Sequence, residues 1–167
     1  MKKLILINGP SCAGKSTIIN SLFEFKKDIF WLKYDAVKRF FVDYDSTVDK
    51  QKVMDLLTVV AKDRIAKNET ILAEGLIDES FQGIRQYAQE NGYSVYEFNI
   101  EAPYDVLLAR FRERVKNPMP GIKINTSESK HLEIYTRYQN KKSLGALTFD
   151  TSISTAEDIS RKILEKI

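Results

Sequence analysis

One stretch near the start constrains this chain more than any other. Lys3 to Asn8 is an apolar run that reads as a buried strand. It stops at Gly9-Pro10-Ser11-Cys12-Ala13-Gly14-Lys15-Ser16, which fits the pattern GxxxxGK[ST], and a helical pattern from Lys15 to Phe25 follows at once. The two glycines let the backbone turn tightly and approach an anion without a Cβ in the way. Successive amide N–H groups then point inward as a nest, and the positive end of the helix adds to it. In such a cradle Lys15 reaches the β- and γ-phosphates of a nucleotide and the Ser16 hydroxyl ligates Mg²⁺. Thr17 bonds near the α-phosphate. Cys12 reads as a small loop residue.

The remaining chain alternates short apolar runs with longer helical ones. Strands are expected at Ile29–Tyr34, Thr70–Ala73, Ser94–Ile100 and Ala146–Phe149. Helices are expected at Ala36–Phe41, Val48–Asn68, Ser80–Asn91, Tyr104–Lys116, Lys130–Lys142 and Ala156–Ile167. This order predicts βαβ units: an α/β fold with a five-stranded parallel sheet covered by helices on both faces. Asn91-Gly92 marks a helix end, and Ser154 with Glu157 fits a capping box for the last helix. At 167 residues, with no linker or repeat, the chain reads as one domain spanning 1–167. A single cysteine and a single histidine, His131, exclude an intrachain disulfide and a Cys- or His-rich metal cage. No apolar run near the start is long enough for a membrane span or a leader, so a cytoplasmic protein is expected.

Carboxylates end two of the strands. Asp35 follows the second directly, where the ends of parallel strands line a ligand crevice. It can take or orient the proton of an attacking hydroxyl, or cap the helix that begins at Ala36. Lys38 and Arg39, one turn on, suit an anionic acceptor group or a solvated helix face. Glu74, before Gly75, can hold Mg²⁺, touch the acceptor, or simply end a strand. Asp78 is a weaker candidate for the roles of Glu74 and reads first as a helix-start residue, and Asp43, Asp45 and Asp49 read as a solvated loop.

The net charge of +3 is too small for a nucleic-acid track, but its distribution is uneven. Residues 110–142 hold nine Lys/Arg against three acids; the remainder holds 17 against 20. Arg110 and Arg114 share a helix face, and Arg112 lies off it. The helix enters an irregular, Pro-rich stretch, Asn117 to Ser129, that reads as a lid over roughly 115–130 or as a plain surface loop. An arm with Arg110, Arg114 and Lys116 or Lys123 suits the charge that spreads over a transferring phosphoryl group. Thr151 and Ser152, after the fifth strand, are positioned to frame an adenine.

Taken together, the cradle, Asp35 after strand two, Leu107-x-x-Arg110-x-x-x-Arg114 and the final Phe149-Asp150-Thr151-Ser152 with its helix resemble the small P-loop kinases. That group contains chloramphenicol phosphotransferase, shikimate and gluconate kinases, zeta toxins and the kinase half of polynucleotide kinase. Leu6 to Ser16 looks most like the chloramphenicol phosphotransferase cradle. The resemblance implies a three-layer P-loop NTPase fold with a lid, and phosphoryl transfer from ATP with Mg²⁺ to a hydroxyl of a small-molecule acceptor. Lys15 and Ser16 then bind phosphate and metal, Asp35 is the base, and Arg110 and Arg114 form the adenine-and-lid arm. Glu74-Gly75 stands where that group commonly has an Asp pair or Asp-x-Thr, and looks more like the Glu-Gly of uridine kinases and phosphoribulokinases. A nucleoside, nucleotide or polynucleotide kinase, and a nucleotide-binding switch without turnover, are the competing functions.

Overall fold

The computed structural model describes residues 2–45, 47–118 and 126–167, with the side chain of Glu79 left aside. The elements run β1 (Lys3–Asn8), α1 (Lys15–Phe25), β2 (Ile29–Lys33), α2 (Tyr34–Lys38), α3 (Lys50–Ala66), β3 (Thr70–Gly75), α4 (Gln82–Glu90), β4 (Ser94–Glu101), α5 (Tyr104–Lys116), α6 (Glu128–Lys141), β5 (Leu147–Asp150) and α7 (Ala156–Lys166). A single 3-10 turn, Glu79–Phe81, leads into α4. The five strands form one sheet in the order β2-β3-β1-β4-β5, parallel at every pairing.

The run of four apolar residues in β1 is explained by its central place. Successive side chains of a strand point to opposite faces. Leu4 and Leu6 pack with Val53, Met54, Leu57 and Ala61 of α3 and with Ile84 of α4. Ile5 and Ile7 pack with Ile18, Ile19 and Leu22 of α1, Leu107 of α5 and Ile159 and Ile163 of α7. All four β1 residues are fully buried. The sheet is therefore the middle of three layers, as the alternating pattern predicts.

Three expectations shift. β2 ends at Lys33 rather than Tyr34, and α2 starts without an intervening loop, so Asp35 lies inside its first turn and does not cap it. Residues 39–41 continue only as i→i+3 turns, so α2 is shorter than the expected 36–41. The last helix is capped by Thr155, not Ser154. Thr155 is the residue with extended backbone, and its hydroxyl accepts the Asp158 N–H at 3.1 Å. Asn91-Gly92 does end α4: Gly92 takes φ +77°, and the Tyr93 N–H reaches back to the Ala88 carbonyl at 3.0 Å. Residues 119–125 of the expected lid, Lys123 among them, lie outside the described residues. No helix among the described residues is long and apolar enough to cross a membrane.

Candidate active site

The loop between β1 and α1 is pinned on both sides. A Cβ on Gly9 would stand 2.2 Å from the Ile100 carbonyl oxygen of β4, so only glycine fits there. The Gly9 N–H donates to the Gly75 carbonyl at 3.2 Å, at the end of β3. Gly14, at φ +88°, turns the chain into α1 with no side-chain cap. Pro10, Ser11 and Ala13 complete the turn. Cys12 holds φ +65°, a left-handed conformation that costs an L-residue roughly 1–2 kcal/mol. The first N–H groups of α1, those of Lys15, Ser16 and Thr17, have no acceptor within the helix. Ser16 and Thr17 are exposed.

Lys15 curls into this loop. Its ammonium donates to the Gly9 and Pro10 carbonyls, each at 2.8 Å. Burial lowers its pKa, while the charges of Glu74 and Asp35 pull it back up. The cradle thus opens on two carboxylates. Glu74, at the end of β3, is buried. It accepts the Ser16 hydroxyl at 3.3–3.4 Å and lies 3.4 Å from the Lys33 ammonium. Asp35 is exposed and has no hydrogen bond or ion pair among the described residues. Next to it Tyr34 bonds Tyr44, hydroxyl to hydroxyl, at 2.9 Å. Lys38 lies over the Tyr44 ring at 4.6 Å, and Arg39 is exposed.

The basic arm divides into three roles. Arg110 is docked: it donates to the Thr151 hydroxyl at 2.8 Å, to the Thr151 carbonyl at 2.9 Å and to the Cys12 carbonyl at 3.4 Å. It thereby ties α5, the turn after β5 and the cradle together. Arg112 makes a bidentate pair with Glu128 at 2.7 and 2.9 Å, joining α5 to the start of α6. Arg114 is exposed, with no hydrogen bond or ion pair among the described residues. Thr151 also touches the place of Gly14, with its methyl 3.7 Å from where a Cβ would stand. Ser152 spends its N–H and hydroxyl on Asp150, at 2.7 and 2.6 Å.

Two buried polar groups carry no signal in sequence spacing. Asn8, the last residue of β1, donates to Asn99 of β4 at 3.2 Å and accepts the Ile77 N–H at 2.9 Å. It fixes the chain leaving β3 beside the cradle. Asparagines at the ends of two strand patterns are the one hint of it. The other is His131 of α6, 1% exposed, its ring 4.7 Å from that of Phe111 and 5.8 Å from that of Tyr104. Among the described residues, neither ring nitrogen has a hydrogen-bond partner in good geometry. Burial lowers its pKa below the usual 6.5; the Ser11 backbone and the charge of Glu128 oppose the shift.

That shift makes a prediction. The folded state binds the proton more weakly than the unfolded chain does, so stability is full above pH 6.5 and is lost as pH falls below it. His131→Phe keeps the ring packing and removes the titration. Because His131 is the one histidine, the variant is expected to hold its melting temperature nearly constant between pH 7 and 5.5, where the wild type declines. An equal decline in both proteins would show that the slope lies elsewhere.

Against known proteins, no family model matches the chain and no curated protein matches it. Solved structures do. A candidate kinase from Chloroflexus aurantiacus superposes with a TM-score of 0.76 at 18% identity, covering 99% of this chain and 98% of that one. The APS kinase of Mycobacterium tuberculosis, solved with AMPPNP and APS, gives 0.68 at 16% identity over 98% and 95%. The shikimate kinase of Acinetobacter baumannii, solved with shikimate, gives 0.63 at 20% identity over 98% and 92%. The fold is that of the small P-loop kinases.

Proposed function

From a chain with the small P-loop kinase fold, we propose an ATP-dependent phosphotransferase that moves the γ-phosphoryl group to a hydroxyl of a small-molecule acceptor. The observation that carries this reading is the Lys15 ammonium held inside the Gly9–Ser16 loop, with the Glu74 and Asp35 carboxylates acting on it from outside.

On this reading the loop amides and the α1 N-terminus bind the phosphates, and Lys15 swings from the loop carbonyls to the β- and γ-oxygens. Arg110, docked on Thr151, offers its guanidinium plane to the adenine, with Ser152 and the turn after β5 beside it. Arg114 is free to meet charge that develops on the phosphoryl group. Asp35 accepts the proton of the acceptor hydroxyl as its oxygen attacks the γ-phosphorus; the bond to the β–γ bridging oxygen breaks and ADP leaves. Lys38 and Arg39 flank the acceptor. The Ser16 hydroxyl and the Glu74 carboxylate, already in contact, are hard oxygen donors of the kind Mg²⁺ takes. An ion held by these two oxygens would supply charge neutralisation for the phosphates.

The reading is tested by ADP formation from ATP and Mg²⁺ across a panel of sugar alcohols, hydroxy acids, nucleosides and 5′-hydroxyl oligonucleotides. Stoichiometric ADP with a small hydroxyl compound is the expected result. ADP released only with the nucleosides or oligonucleotides would move the assignment to a nucleoside or polynucleotide kinase. Tight ATP binding with no turnover on any acceptor would make the protein a nucleotide switch.

A further inference from the structure

The last residue of β2 has no part in the chemistry set out above. Lys33 stands opposite Glu74 in the parallel register of β2 and β3. Alternate residues of a strand share a face, so Lys33 lies on the side of Trp31 and Glu74 on the side of Leu72. Trp31 and Leu72 pack with Ile18, Ile19 and Leu22 of α1. The Lys33–Glu74 pair is therefore on the α1 face of the sheet, where Glu74 meets Ser16.

Glu74 is buried, yet nothing holds it closely. Its side chain is 6% exposed. The Ser16 hydroxyl lies 3.4 and 3.3 Å from its two oxygens, and the Lys33 ammonium 3.4 Å from one of them. A hydroxyl bonded to a carboxylate ordinarily comes within about 2.5–2.7 Å, and an ammonium within about 2.7–2.9 Å. Among the described residues these long contacts are the polar ones this carboxylate makes. It keeps lone pairs for a smaller, more highly charged partner.

Lys33 is placed to let go. Its side chain is 31% exposed. Its ammonium already lies 4.4 Å from the centre of the Trp31 ring, within the range at which an indole face attracts a cation. Trp31 is itself steadied edge-on against Phe23 of α1, with ring centres 5.4 Å apart. The ammonium thus has two stations, a carboxylate and an aromatic face. A dication on the same carboxylate would repel it, and the burial of Glu74 weakens the screening between the two.

We propose that Lys33 is the resident counter-ion of Glu74 and a positioning residue for the divalent cation. It pairs with the carboxylate in the nucleotide-free protein and turns out over Trp31 when the cation arrives with a triphosphate. Free divalent cations are kept out of the cradle, because without phosphate charge they do not offset the loss of the ion pair. This rests on the Ser16–Glu74 metal reading given above and adds the residue that sets when the metal enters.

The test is metal binding by the whole chain. It is read with Mn²⁺ by electron paramagnetic resonance and by the emission of Trp31, the one tryptophan. Mn²⁺ takes the same oxygen ligands as Mg²⁺. Lys33→Met keeps a stem over Trp31 and removes the charge; Lys33→Arg keeps the charge. Without nucleotide, Lys33→Met should bind Mn²⁺ roughly tenfold more tightly than the wild type, as the loss of one nearby like charge implies. Lys33→Arg should bind it no better than the wild type. Mn²⁺ alone should also raise the melting temperature of Lys33→Met, in which Glu74 is left unpaired, and not that of the wild type. With AMPPNP bound, added Mg²⁺ should shift Trp31 emission in the wild type and leave it unmoved in Lys33→Met. Equal Mn²⁺ affinity in the wild type and Lys33→Met, or the same emission shift in both, overturns the proposal and leaves Lys33 a plain cross-strand partner. No emission shift in the wild type does the same without any variant. Glu74→Gln separates the two readings: if it holds Mn²⁺ with AMPPNP as tightly as the wild type, the metal reading falls and this proposal with it. If AMPPNP does not bind, the kinase reading falls, and the nucleotide-free Mn²⁺ comparison still decides Lys33.

Discussion

Lys15→Ala is expected to abolish measurable phosphoryl transfer while leaving the melting temperature of the nucleotide-free protein equal or higher. The two halves of this result have one cause. The Lys15 ammonium is held against two carbonyls, and burial lowers its pKa. A depressed lysine means that folding disfavours its charged form, so removing the charge does not cost stability at neutral pH. Against a triphosphate the same ammonium compensates charge that builds in the transition state. Loss of one such donor typically costs 10²–10³-fold in rate, and ATP binding weakens as well. Calorimetry with ATP, turnover with the true acceptor and a thermal melt check all three parts. Undiminished activity would sink the cradle assignment; a collapsed melting temperature would reduce Lys15 to a structural residue.

Asp35→Asn carries the second large effect. The side chain is exposed and unbonded among the described residues, and it sits in the first turn of α2. Its structural contribution is limited to the helix dipole, about 0.3–1 kcal/mol. As the base it contributes far more, since general-base catalysis is worth roughly 10²–10⁴-fold. The variant should therefore fold normally, keep its KM for ATP and lose kcat by about that factor. Full turnover with the true acceptor would remove Asp35 from the mechanism.

How legible the site was depended on how local its parts are. β1, α1 and α5 have the bounds read from sequence, because a four-residue apolar run, a glycine-bounded loop and a regular apolar stripe are each encoded within a dozen residues. The cradle is legible for the same reason. Asp78 was not: its ionic partners are Lys50 and Arg137, 28 and 59 residues away, and alone it looks like an aspartate beginning a helix. Nor was the Asn8–Asn99 bridge, which joins residues 91 apart. Arg112 is legible only as a residue off the Arg110–Arg114 face; Glu128, its partner, belongs to another helix. The last cap moved by one residue because Ser154-x-x-Glu157 and Thr155-x-x-Asp158 are equivalent as strings. Only the backbone of Thr155 decides between them.

The sheet order also has a consequence for the newly made chain. Of the five strands β1 is made before the others, yet its neighbours are β3 and β4. Its pairing with Ser94–Asn99 cannot form until roughly 90 more residues have left the ribosome, about 5–20 seconds at ordinary elongation rates. Leu4 to Ile7, the apolar run that leads into the cradle, has both edges unpaired until β3 is made and one edge unpaired until β4 follows. The cradle that follows β1 is thus completed late, and β1 is the segment that a chaperone on the nascent chain would have most reason to hold.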